Sequence, residues 1–354
     1  MEIADLLKQA EKIAGMKMLK RDLERAISAI QVTGDFWKIT DIANLCVPVA
    51  SAIVEVLLNK DMVHINSDED IILTDKGKNF AKTQGIYPLR RYICEGCEGR
   101  GIPFYADLDL YRRFVQLTKE RPSPLQKYDQ AYVTPETTVS RVLFMESKGD
   151  LRGKKIIVLG AEDDLLGLAI ALSGKAKEVY ILDIDQRLIE FDREIFNSLG
   201  IDNAYAEVMD LRIPLPEELI GRFDVFVSDP PETISALKAF VGKGIATLRD
   251  EGGAGYFGLT LRDSSLRRWK EFQTILAVEY GTVITDIVQD FNQYVNWEYH
   301  VDTKAAAIAP VKRPPKEIWY RSAWYRIEAL PGFKRFNDMI EEDSLYLDEE
   351  SSTT

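Results

Sequence analysis

Apolar residues recur at helical spacing from the start of the chain. ADLLKQAEKIAG and LKRDLERAISAI each carry one apolar face, which predicts two amphipathic helices. The pattern then shortens. It predicts a short helix over 39–45, a turn at Pro48, a second helix over 50–59, and strands over 62–65 and 71–74 around the polar tip NSDED. Helix-turn-helix followed by a β-ribbon is a winged-helix pattern, so residues 1–90 are read as a winged-helix domain. Residues 91–150 are read as a connector that holds Cys94 and Cys97 and an aromatic helix over 108–117.

From residue 151 the period alternates. Apolar runs at 154–160, 178–185, 203–211, 222–233 and 252–260 are separated by amphipathic stretches of helical spacing. TDIVQDFNQY and SAWYRIEAL supply two more strands. Alternating β and α elements predict a mostly parallel sheet covered on both faces, an α/β domain over 151–332. An acidic, flexible tail over 333–354 is expected to follow it.

Composition narrows the class. Apolar residues make up 46% and charged residues 29%, which is globular. No run reaches the roughly 18 apolar residues of a membrane span, and the N-terminus lacks a signal-peptide pattern. A soluble, cytoplasmic protein without membrane partners is expected. The 45 Lys and Arg against 57 Asp and Glu give a net charge of −12, which argues against nucleic acid and suits either a cationic partner or solubility alone. The helix over 50–59 begins ASAIVE and lacks side chains that read base edges. A scaffolding or dimerisation role, and a homodimer, are therefore expected. Cys94 and Cys97 have the spacing of one zinc knuckle, but tetrahedral zinc needs four ligands. They are read as reduced thiols, and no metal is assigned.

Ligands of such sheets bind beyond the carboxyl ends of the strands. Those ends read Gly160-Ala161-Glu162-Asp163-Asp164, then Asp183 and Asp185, then Asp210, then Asp229-Pro230-Pro231-Glu232. Every end presents acid. The layout resembles the class I S-adenosylmethionine-dependent transferases and so implies their Rossmann-like fold. The resemblance makes Asp183 the residue that grips ribose hydroxyls, Asp210 the one that faces the adenine amine, and Gly160 the close approach to the donor. Asp185 is read as a helix cap. Three carboxylates after the first strand would repel the methionine carboxylate of the intact donor. They suit a donor without that group, or a polycationic acceptor. Glu232 stands where base-modifying relatives carry a stacking aromatic; a carboxylate there either binds an ammonium or is a first-turn helix acid favoured by the dipole, and the acidic cluster favours the first. Tyr256, Phe257, Tyr294 and Trp297 are candidates either for cation–π walls or for core.

With CEGCEGRG, DQAYVTPETTVSRV, SDPPET, KAFVGKGIATL, GYFGLT, FNQYVNWEY and the terminal DEESSTT, the chain resembles, nearly end to end, the archaeal and thermophile branched-chain polyamine synthases (the N4-bis(aminopropyl)spermidine synthase family). The resemblance implies transfer of aminopropyl groups from decarboxylated S-adenosylmethionine to N4 of spermidine. A tertiary and then a quaternary amine form, and methylthioadenosine is released. Decarboxylated S-adenosylmethionine is then a co-substrate, with no permanently bound cofactor, and spermidine and related polyamines are the partners. The family's first loop reads Gly-Asp-Asp-Asp-Leu, with the middle Asp catalytic; here the loop is one residue longer. Counting from Gly160 gives Glu162, and counting from the following Leu gives Asp163. The helix after the loop fixes the Leu side, so Asp163 is the expected catalytic residue in contact with N4. Glu162, Asp164 and Glu232 would bind ammonium groups, and Asp229 would orient the acceptor. The competing readings are a methyltransferase acting on an amine, and a winged-helix regulator with a ligand-sensing α/β domain. The stretch from Phe336 onward has seven acids and no Lys or Arg. It is either a solubilising tail or a mobile lid that gathers polycations.

Overall fold

Helices Ile3–Ala14, Lys20–Ile30, Phe36–Ala43 and Val47–Asn59 precede an antiparallel hairpin of β1 (Val63–Ile65) and β2 (Ile71–Leu73), and helix Asp75–Gln84 follows. The computed structural model describes residues 2–341 and 345–353. The elements of a winged helix therefore occur in the expected order. Pro48 is not in a turn. It lies in the first turn of Val47–Asn59, where a missing N–H costs no helical bond, and the reversal comes earlier, at Asn44 with φ +54°. Val47–Asn59 is buried on nearly every side, with Glu55 and Asn59 exposed. The Val47 N–H donates to the Arg262 carbonyl at 3.2 Å, and Ser51 Oγ donates to the Ile308 carbonyl. The helix that would enter a DNA groove is thus packed against the rest of the chain, in one core with Trp37, Trp297 and Trp319.

The main sheet has seven strands: β3 (Lys155–Leu159), β4 (Glu178–Asp183), β5 (Ala204–Val208), β6 (Val225–Ser228), β7 (Ala254–Leu259), β8 (Thr282–Gln293) and β9 (Arg321–Ala329). Their order is β5-β4-β3-β6-β7-β9-β8. The first five run parallel, β9 is antiparallel to β7, and β8 is antiparallel to β9. This is a class I methyltransferase-like fold. The central strands are apolar on both faces because helices cover both, as the buried run Ile156–Val158 of β3 shows.

The helices of residues 91–150 do not behave as a connector. Leu108–Leu117 and Pro135–Ser147 place Phe114, Val139, Val142 and Met145 in one core with Ile156 and Val158. The α/β unit therefore begins well before residue 151. The start of the second helix was legible: Thr134 accepts from the Thr137 N–H, and Pro135 occupies the first turn. No single described helix is long and apolar enough to cross a membrane.

Candidate active site

Register brings the acids together. Leu159 of β3 pairs with Leu182 of β4 and with Ser228 of β6, so the next residues, Gly160, Asp183 and Asp229, stand side by side at the strand ends. They open onto a cleft that Met209, Phe240 and Tyr294 also line. Gly160 has φ +58°, and a Cβ there would lie 2.2 Å from Phe240 Cε1, so no side chain fits. Its backbone is left open to the cleft.

The three acids of the loop go three ways. Glu162–Asp164 is a single 3₁₀ turn, in which successive side chains point about 120° apart. Asp163 lines the cleft and accepts from the Ala131 N–H at 3.1 Å. Glu162 points beneath the loop, where its oxygens accept from Gly167 and Leu168 N–H at 3.0 and 3.1 Å. Asp164 accepts from the Val133 N–H at 2.6 Å and pairs with the Arg141 guanidinium. The expectation that Glu162 and Asp164 bind ammonium groups is thus corrected: both are fully buried and spent on the protein's own donors. Burial is the main reason that the Asp163 carboxyl is pushed up to about 7, with Asp183 and Asp229 adding to it and Arg121 opposing.

Asp183, Asp210, Asp229 and Glu232 also face the cleft, and Asp185 does not line it. Asp183 accepts from the Asp185 N–H at 2.8 Å, and burial raises it to about 6. Asp185 caps helix Gln186–Leu199 through the Arg187 N–H at 3.0 Å, as its cap reading required. Asp210 lies against Arg212 Nη2 at 2.7 Å, a bond that holds its carboxyl below the usual range. Asp229 Oδ2 accepts from Arg141 Nη2 at 2.7 Å and Tyr294 OH at 2.8 Å. Glu232 accepts from the Thr260 N–H at 3.0 Å, and burial with Asp263 nearby raises it well above the ordinary carboxyl range. With Asp129, six carboxylates line the cleft, and no Lys or Arg does among the described lining residues.

Tyr294 and Trp297 are wall residues, joined by Tyr128, Tyr299, Tyr320 and Tyr346. Tyr256 and Phe257 are core. Tyr256 hydrogen-bonds Asp150 within the fold, and Phe257 stacks on Tyr325 with ring centroids 5.3 Å apart. Cys94 is exposed and Cys97 half-buried, and neither is in a disulfide.

Three participants escaped the sequence reading. Arg141 has no exposed surface and joins Asp164 to Asp229. Lys243 is buried, donates to the carbonyls of Leu211 and Ile213, each at 2.5 Å, and is pushed down to about 8 by burial. It thereby fixes the turn that carries Asp210. A basic residue amid an apolar helical stripe is the one local signal for either. Asp129, at φ +55°, had none.

The described tail is not a free chain. Leu345, Tyr346 and Thr353 line the cleft. Asp348 pairs with Arg268 at 2.7 Å, and Glu350 accepts from Ser265 N–H at 2.7 Å and Oγ at 2.8 Å. Ser352 donates to Asp263 through N–H at 2.9 Å and Oγ at 2.7 Å. Asp348 and Glu350 thus answer internal donors, whereas Asp338, Glu341 and Glu349 are exposed. Of the seven acids counted in it, Glu342 and Asp343 lie outside the described residues.

Residues 109–353 match the family model described as branched-chain polyamine synthase A C-terminal domain. The chain is 44% identical over 351 residues, 99% of each protein, to N(4)-bis(aminopropyl)spermidine synthase of Thermococcus kodakarensis. It is 43% identical over 350 residues, again 99% of each, to the protein of the same name from Methanocaldococcus jannaschii. The crystal structure of the branched-chain polyamine synthase from Thermus thermophilus, in complex with N4-aminopropylspermidine and 5′-methylthioadenosine, superposes with a TM-score of 0.90. That match is 36% identical and covers 99% of this chain and 98% of the other.

Proposed function

This chain belongs to the branched-chain polyamine synthases, and we propose that its cleft moves the aminopropyl group of decarboxylated S-adenosylmethionine onto N4 of spermidine. It is an aminopropyltransferase that makes N4-aminopropylspermidine and N4-bis(aminopropyl)spermidine. One observation carries the reading: six carboxylates line the cleft with no Lys or Arg among the described lining residues. A carboxylate-lined, aromatic-walled cleft attracts a linear polycation. Its described lining residues include no cation to pair with the carboxylate of an intact methionine donor, which disfavours the methyltransferase alternative.

The donor's nucleoside is placed by Asp183 at the ribose hydroxyls and Asp210 at the adenine amine, with Gly160 giving its backbone close access. Asp163 meets N4. The N4 lone pair attacks the propyl carbon bound to sulfur, and the carbon–sulfur bond breaks. Its electron pair goes to sulfur, which leaves as neutral methylthioadenosine. Asp163, with its carboxyl near 7, takes the proton from the new ammonium. The tertiary product then attacks a second donor and becomes quaternary, with no proton to remove. Holding nucleophile and electrophile in line supplies about 7–11 kcal/mol of the barrier. Asp229, fixed by Arg141 and Tyr294, orients the acceptor, and Glu232 receives one of its terminal ammonium groups.

Mass spectrometry tests this. The protein is incubated with spermidine and either the decarboxylated or the intact donor. One or two aminopropyl additions with the decarboxylated donor alone are expected. A methyl gain with the intact donor would overturn the reading.

A further inference from the structure

We propose that Asp192 is a neutral carboxylic acid whose proton bridges to Glu162 and so holds the loop that presents Asp163 to the cleft. The inference rests on the assignment of Asp163 to the reaction.

Asp192 occupies the middle of an apolar stripe on helix Gln186–Leu199, between Leu188, Ile189, Ile195 and Phe196. It has no exposed surface. Among the described residues no N–H or O–H reaches either of its oxygens. An ionised carboxylate so placed would be desolvated without a donor. What faces it is another carboxyl, Glu162, with Asp183 and the Arg121 guanidinium beyond.

The two acids are not equivalent. Glu162 already receives the N–H groups of Gly167 and Leu168, so its charge is met. Asp192 receives nothing. The proton therefore resides on Asp192 and is donated to Glu162, and the pair carries one negative charge instead of two.

The consequence reaches the chemistry. Glu162 opens the 3₁₀ turn whose next residue is Asp163. With Glu162 anchored below by Asp192 and by the start of the following helix, the 120° step of the turn directs Asp163 upward. Asp192 touches no substrate. It is a positioning residue.

Asn can donate an N–H to Glu162 where Asp donates its proton; Leu cannot. Asp192→Asn is expected to keep kcat within about threefold, and Asp192→Leu to lower it about tenfold or more, with KM for both substrates less affected. The neutral acid is read directly by infrared spectroscopy at neutral pH without substrate. The difference between wild type and Asp192→Asn should contain the carbonyl stretch of a protonated carboxylic acid. Glu162→Gln should lose the same band, because its amide donates to Asp192 and lets it ionise. No such band in the wild type would overturn the proposal, as would an Asp192→Asn enzyme as slow as Asp192→Leu. The band needs no turnover, so failure of the aminopropyl-transfer reading would leave it in place and be distinguishable.

Discussion

Arg141 places Nη2 2.7 Å from Oδ2 of Asp229, from the interior side of the cleft. Its Nη1 pairs with Asp164, and its guanidinium carbon sits 4.6 Å over the Trp324 ring. One buried cation thus bridges Asp164, behind the cleft, and Asp229, on its wall, while burial still holds the Asp164 carboxyl well above the ordinary range. Among the described residues Asp163 has no such ion pair; it receives a backbone N–H and stands among Asp183 and Asp229. The arrangement separates a carboxylate anchored by a guanidinium from one that burial pushes up to about 7, which is how one site holds both an anchor and a base.

Asp163→Asn should therefore lower kcat by about 10²–10⁴-fold, the range for one acid–base group, with the melting temperature little changed. Asp164→Asn should act mainly on the fold, because it removes a charge from the Arg141 pair. Steady-state kinetics beside thermal melts separate the two. Near-normal turnover of Asp163→Asn would move the base elsewhere.

Removing Arg141 should be costly in a different way. Arg141→Met fills similar volume but leaves Asp164 and Asp229 without their cation, a loss of about 3–5 kcal/mol for a broken buried pair. Urea unfolding should show a lower midpoint, and activity should fall with it. Equal stability would mean that the two acids take up protons at no cost.

The pH dependence has a defined sign. Burial raises Asp163 to about 7 and Asp183 to about 6, above ordinary carboxyl values. Between those ordinary values and the raised ones the folded state holds more protons than the unfolded state. Their contribution to stability is therefore complete in acid and is lost as pH rises to about 7. The melting temperature of the unliganded protein should fall across that window, and the increment produced by spermidine should grow across it. A spermidine increment independent of pH would contradict this.

Gly160→Ala should block the donor. The new Cβ would press on Phe240 and strain a residue at φ +58°. Donor KM should rise about tenfold or more, while spermidine binding, measured by calorimetry, changes little.

Deleting the chain from Leu345 onward removes Tyr346 and Thr353 from the cleft wall and leaves Arg268 and Asp263 without their tail partners. Spermidine KM should rise more than donor KM. An unchanged spermidine KM would reduce the tail to a solubilising segment.

Much of this was legible locally. The apolar runs of β3, β4 and β6 and the acids at their ends are neighbours in sequence, so periodicity located the sheet, and strand ends located Asp183, Asp210, Asp229 and Glu232. Helix Pro135–Ser147 was missed although Thr134 and Pro135 announce its start. Helix Val47–Asn59 was placed but not its burial, because an apolar helix does not say which neighbour covers it.

The sequence by itself determined the α/β architecture and the acidity of its strand ends, because both rest on repeats a few residues long. Only the tertiary structure decided what each acid does. Glu162, Asp163 and Asp164 are consecutive, yet one anchors a helix start, one faces the cleft and one holds a guanidinium. That guanidinium arrives from 23 residues before Asp164 and 88 before Asp229. A carboxylate's role depends on which donors and how much water surround it. Those are set by segments that meet only when the chain has folded.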